Sequence, residues 1–323
     1  MYPLKFEPIL KQMLWGGDKI ISFKHLKDNS TGIGESWEIS GVENSESIVA
    51  NGVDKGLSLV EMVAKYRDEL VGEANYARFG NQFPLLIKFI DAKQDLSIQV
   101  HPSDELAQKR HNSWGKTEMW YVIETDKGAK LRSGFSESIT PKEYKDRVYN
   151  NTITEVLQEY EIHPGDVFFL PAGRVHSIGA GSFIAEIQQT SNVTYRIYDF
   201  ERKDANGNPR ELHTELAREA IDFEALDDYR TKYDPISNEP VELVACPYFT
   251  TSIYDMSEEI SCDYSELDSF VIFICIEGAC TIVDNEKNEI TLQSGETVLF
   301  PATTQNVSII PEGGKVKLLE TYV

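Results

Sequence analysis

GDVFFLPA (165–172) returns 130 residues later as GETVLFPA (295–302), aligned without a gap. Each copy is a Gly-Asp or Gly-Glu turn, a short apolar run and a Pro-Ala step out of it, as expected of a short strand between two turns. A second match lies upstream: VIE (122–124) resembles CIE (275–277), with a shorter connection in the later copy. Two similar strand–turn units in one chain read as a duplicated β-module. Short strands joined by such turns describe a jelly-roll barrel. The expected fold is mainly β: two tandem jelly-roll barrels with a few peripheral helices.

Working outward, residues 36–40 (SWEIS), 84–90 (PLLIKFI), 96–100, 119–124 and 165–170 are short apolar or alternating runs bounded by turn residues, so they read as strands. Helical periodicity appears at 57–70, 140–150 and 211–223. Ser58 with Glu61 forms an expected capping box, and Thr140 precedes Pro141 at a first helical position. The polar, two-proline stretch 229–241 reads as a linker between a module at 1–230 and a second at 240–323.

The chain of 323 residues carries a formal net charge of −22, which argues against nucleic acid or anionic membrane as a partner. An anionic substrate would need a local cluster of basic side chains. No apolar run reaches membrane-spanning length, and MYPLKFEPIL shows no signal-peptide pattern. Cys246, Cys262, Cys275 and Cys280 include no CxxC pair, so free thiols and a reducing cytoplasm are expected. No GxGxxG, Walker loop, GxSxG or HExxH is present, which leaves hydride transfer, NTP hydrolysis and serine hydrolysis unsupported.

Four residues could build one metal site. Gln99 and His101 alternate on a strand and share a face. Glu118 opens a hydrophobic strand, as a solvated edge residue or a ligand, with Lys116 two residues before it. His176 follows a strand and turn in PAGRVHSIGAG. Taken singly, His101 or His176 could be a satisfied core histidine. Together, two imidazoles, a carboxylate and an amide oxygen suit a borderline metal such as zinc. Lys88 is a charge inside PLLIKFI, unusual unless it faces a polar pocket. Arg196 shares an alternating face with Asn192, Thr194 and Tyr198 on a run that would line the same cavity. His163 reads as surface, while His25, His111 and His213 lie in polar segments with no evident partner. Carried through the repeat, His176 falls on Asn306 and Glu118 on Val271, so the second barrel lacks metal ligands.

These motifs resemble the type I phosphomannose isomerases of the cupin superfamily, in the short bacterial form without a large helical insertion. The resemblance runs through LWGGDKI (14–20), IGESWEIS (33–40), FPLLIKFIDAKQDLSIQVHPSDELA (83–107), GKTEMWYVIE (115–124), PAGRVHSIGAG (171–181) and IQQTSNVTYRIYDFER (187–202). It implies cupin-type barrels and an aldose–ketose isomerase acting on mannose 6-phosphate and fructose 6-phosphate through a cis-enediol(ate). It implies one zinc held by Gln99, His101, Glu118 and His176. It also implies Arg196 and Lys116 as catalytic groups, with Lys88, Lys116 and Arg196 on the hexose 6-phosphate. One departure stands out: an aspartate is expected four residues before the arginine, and here the residue is Asn192. Two other readings use the same residues: an iron-dependent cupin oxygenase, since two histidines and a carboxylate also suit Fe(II), and a non-catalytic sugar-phosphate sensor.

Overall fold

The computed structural model describes residues 1–203 and 206–323. The duplication is visible as two two-sheet modules. In the first, a seven-stranded sheet runs Arg230–Thr231, Val167–Leu170, Glu118–Thr125, Ser182–Gln189, Leu85–Ala92, Ile9–Gly17, Ile33–Ser40. A five-stranded sheet runs Tyr195–Tyr198, Ile98–Val100, His176–Ile178, Lys130–Phe135, Leu157–Glu161. The second module has sheets of five and four strands, all from Pro240 onward. The fold is mainly β and of the cupin jelly-roll type, as expected.

Alternation along the strands explains why the central runs look uniformly apolar. In Leu85–Ala92, Ile87 and Phe89 join a core that also holds Ile272, Ile274 and Leu319 of the second module. Ile90 joins the interior of the first sandwich, with Trp120, Phe168 and Ile184. A sheet buried on both faces has no polar stripe. Lys88 shares the parity of Ile90, so it points into the sandwich.

The repeat is exact in register. Leu170 lies opposite Glu118, and Phe300 lies opposite Val271. Asn306 opens a strand as His176 does, and it is exposed. The second module's interior is apolar, centred on Phe273, Phe300 and Leu318.

The helices show where local signals held. Ser58 caps Leu59–Tyr66 through a complete capping box, and Thr140 caps Pro141–Tyr149 by accepting from the Glu143 N–H. The run expected at 57–70 is broken at Arg67, whose φ of 51° turns the chain before a short helix Asp68–Val71. The third helix is shorter than expected, Thr214–Ala220. An unforeseen helix, Asp104–His111, is capped by Ser103 directly after the QVHP strand. The polar stretch 229–241 is tied down: Arg230–Thr231 extends the large sheet, and Tyr233 donates to the Gly165 carbonyl. No helix among the described residues is long and apolar enough to cross a membrane. All four cysteines are free thiols, with Cys275 and Cys280 buried.

Candidate metal centre and active-site cavity

The smaller sheet of the first module sets the geometry. His176 lies in register between Gln99 on one neighbouring strand and Ser133 on the other, and Gln99 in turn faces Arg196. His101 follows directly after the Gln99 strand. The turn before His176 needs Gly173 at φ 93°, and the Gly173 N–H donates to the His101 carbonyl at 2.9 Å. That bond brings the two histidine segments together, with ring centroids 4.8 Å apart. Glu118 reaches them from the facing sheet.

His101, Glu118 and His176 are all buried, and their nearest donor atoms lie within 4.8 Å of one another. Each ring is fixed by its far nitrogen. His101 Nδ1 is 2.9 Å from the Val193 carbonyl, and His176 Nδ1 is 2.8 Å from the Arg174 carbonyl. A carbonyl can only accept, so both Nδ1 atoms carry the proton and both Nε2 atoms present lone pairs. Burial, reinforced by the Lys116 charge, holds His101 well below the ordinary imidazole range. Burial brings His176 down to about 4. Both rings are therefore neutral near pH 7.

Those lone pairs face a carboxylate. His176 Nε2 is 3.2 Å from Glu118 Oε1, and His101 Nε2 is 3.6 Å from Oε2. His101 Nε2 and both Glu118 oxygens lack a well-formed hydrogen bond, although Lys116 Nζ stands 3.1 Å from Oε2 as a charge partner. Acceptors converging on acceptors repel unless a cation lies among them. The donor set fits a borderline divalent metal. Gln99 is adjacent, its amide 3.3 Å from His176 Nε2, and amide oxygen and nitrogen can exchange places by rotation. Of the four expected ligands, three form the cluster and the fourth borders it.

Beside the cluster lies a cavity of about 290 Å³ whose lining includes Lys88, Lys116, Glu186, Asn192, Arg196 and Arg210. All three expected cations are there. Lys88 is buried, 3.0 Å from Glu186 and 3.9 Å from Glu35. Burial alone would lower the Lys88 pKa, but those two carboxylates outweigh it and hold the ammonium charged. Burial would raise Glu186, yet Lys88 and Lys116 keep it well below the carboxylate range, and Trp120 Nε1 donates to its other oxygen at 2.9 Å. Burial and the Glu186 charge push Glu118 up to about 7. Arg196 Nη1 donates to the Glu211 carbonyl at 2.9 Å, while its Nε is buried without an acceptor. Arg210 and Arg202 both bind Asp199, which leaves this mouth of the cavity with more positive than negative charge. Asn192 is exposed on the rim.

Glu186, Glu35 and Arg210 were not foreseen as site residues. Glu186 carried the same signal as Lys88, a lone charge in the apolar run SFIAEIQQ, and the two sit opposite each other in register. His163 and His25 are exposed, as expected of surface residues. The other two have partners: His111 bonds the Tyr195 hydroxyl at 2.8 Å, and His213 accepts from the Arg196 backbone N–H at 3.1 Å. Among the described residues the only such His/Glu/His cluster is in the first module.

The fold and site define a cupin enzyme with a buried His/Glu/His centre open to a cation-lined cavity. Residues 4–131 match the catalytic domain of phosphomannose isomerase type I, and residues 240–323 match the cupin domain of mannose-6-phosphate isomerase. The chain is 35% identical over 306 residues to mannose-6-phosphate isomerase ManA of Bacillus subtilis, covering 93% of each. It is 32% identical to a mannose-6-phosphate isomerase of Streptococcus mutans, covering 94% of each. The crystal structure of the mannose 6-phosphate isomerase from Bacillus subtilis superposes with a TM-score of 0.89 at 30% identity over the whole of both chains. The chain belongs to the type I phosphomannose isomerase family, an enzyme of the mannose-6-phosphate isomerase class. Membership sets aside the oxygenase and the non-catalytic sensor.

Proposed function

We propose that the chain interconverts mannose 6-phosphate and fructose 6-phosphate through a cis-enediol(ate), using one zinc held by His101, Glu118 and His176, with Gln99 as fourth ligand. The observation that carries this is the meeting of two imidazole lone pairs and a carboxylate, otherwise unpartnered, beside a cavity lined by cations. The metal, with one carboxylate and three neutral ligands, keeps a formal charge of about +1 and supplies polarisation of the C1 and C2 oxygens.

The chain's own groups do the rest. Arg196, with Arg210 at the same mouth, meets the anionic charge of the phosphate or enediolate; the buried Nε of Arg196 lacks an acceptor that such an anion supplies. Lys88 and Lys116 neutralise charge within the cavity. The proton moving between C2 and C1 needs a base in the cavity that is ionised at working pH. Glu186 meets that requirement, with Lys88 3.0 Å away to balance its change of charge. Asn192 cannot supply the charge of the expected aspartate. On this reading residues 1–230 form the catalytic module, and residues 240–323 form a module without metal ligands. Free thiols throughout suit a cytoplasmic setting.

The test is an isomerase assay on hexose 6-phosphates, paired with metal analysis of the purified protein. Turnover of mannose 6-phosphate with about one zinc per chain is expected. Absence of turnover in metal-replete protein overturns the reading, and iron in place of zinc overturns the metal assignment.

A further inference from the structure

Tyr195–Tyr198 is the edge strand of the five-stranded sheet. Its outer backbone groups have no neighbouring strand, so something else must satisfy them. At Arg196 that partner is His213. The Arg196 N–H donates to His213 Nδ1 at 3.1 Å, and the His213 N–H donates to the Arg196 carbonyl at 2.7 Å. One residue thus closes both backbone bonds, its ring standing in for the carbonyl that a β-ladder would offer.

The clamp extends to the guanidinium. Two residues before His213, the Glu211 carbonyl accepts from Arg196 Nη1 at 2.9 Å. Residues 211–213 therefore hold Arg196 at three points, two on the backbone and one on the side chain. The segment is anchored behind the clamp: the Ala217 N–H donates to the His213 carbonyl at the start of Thr214–Ala220, and Tyr144 donates to the Thr214 carbonyl at 3.0 Å. Since both outward groups of Arg196 go to His213, Arg196 faces Gln99 as a non-hydrogen-bonded pair, the arrangement in which cross-strand side chains lie closest.

We infer that His213 is a positioning residue, which fixes the Arg196 side chain over the cavity by bonding its backbone through Nδ1. This rests on the reading of Arg196 as a substrate-contacting group. The histidine is required for its acceptor nitrogen at that reach, so another side chain with an acceptor at the same distance should replace it. Asparagine offers one.

The experiment is a set of kinetic measurements on mannose 6-phosphate with the metal-loaded full chain. His213→Ala should lower kcat/KM about five- to tenfold, the scale of one lost hydrogen bond at a site that must be held in place. The split between kcat and KM should follow that of Arg196→Lys. His213→Asn should recover most of the loss. In the double variant Arg196→Lys, His213→Ala, the second change should cost less than twofold, because a group acting only through Arg196 has little left to act on. Metal content should match the parent throughout. Parent-like kinetics of His213→Ala, equal losses in the Ala and Asn variants, or fully additive losses in the double variant would each overturn the inference while leaving the role of Arg196 intact. Parent-like kinetics of Arg196→Ala would remove the underlying reading and the inference with it.

Discussion

Glu320 occupies in the second module the register position that Glu186 occupies in the first. Glu186 lies opposite Trp120, two residues along from Glu118. Glu320 lies opposite Phe273, two residues along from Val271. What differs is the partner on the other side. Lys88 faces Glu186, whereas Ser252 faces Glu320. The second acid has no buried cation and is held instead by the Tyr264 and Tyr254 hydroxyls.

Burial therefore wins at Glu320 and raises its pKa above the ordinary carboxylate value, despite the hydroxyls. A carboxyl raised in the folded state contributes stability at low pH and loses it as pH climbs through the folded value. Glu320→Gln keeps an acceptor for Tyr264 and removes that loss. The variant should melt higher than the parent near pH 8, with the gap closing towards about pH 4, and should keep parent isomerase activity. Thermal denaturation across pH checks this. A variant less stable at every pH would contradict it.

The metal site predicts linked losses. His101→Ala or His176→Ala should remove metal and turnover together, as read by metal analysis and assay on the same sample. Gln99→Ala should be milder, because an amide is the weakest of the four ligands. Chelation should abolish activity and zinc restore it. Metal and turnover surviving in His176→Ala would misplace the site.

Lys88 and Glu186 separate stability from chemistry. Lys88→Met leaves Glu186 buried without its nearest cation and should cost about 3–5 kcal/mol in denaturant unfolding. Glu186→Gln should fold and bind metal yet lose roughly 100-fold or more in kcat. Joining the two changes should recover stability without recovering turnover. Activity regained in the double variant would exclude Glu186 as the base.

Arg196→Ala should lower kcat by more than it raises KM, if its contact tightens as the enediolate forms. Zinc content should be unchanged, since arginine is no ligand. Steady-state kinetics near the parent's would leave the anion to Arg210 and the lysines.

Far from the cavity, Ser58→Ala removes one half of the capping box on Leu59–Tyr66. It should cost about 1 kcal/mol of stability and nothing in catalysis. An unfolding curve and an assay check both parts.

The fold was legible because duplication printed the same strand twice and because turn residues mark strand ends locally. The ligands were legible because a histidine or an acid beside an apolar strand is a local anomaly. Glu186 is the same anomaly as Lys88, but its meaning lies in a partner nearly a hundred residues away that only the sheet register supplies. Arg210 and His213 sit in polar loop sequence, where a charge or an imidazole is unremarkable, and only tertiary contact with Asp199 and Arg196 gives them roles. The break at Arg67 was hidden because helical periodicity continues across it.

The core shared by the modules begins with Leu4, whose backbone N–H and C=O both pair with Leu299, at 2.8 and 2.9 Å. During synthesis Leu4 therefore leaves the ribosome long before its partner exists. The catalytic sheets can collapse early, but the sheet face bearing Ile87 and Phe89 stays bare until Ile272, Ile274 and Leu319 arrive. A nascent chain halted before residue 240 would hold a nearly complete metal cluster on a sheet with an uncovered apolar back, a natural client for chaperones. The metal-free module is thus a late-arriving cover, and its arrival sets when the enzyme becomes a finished protein.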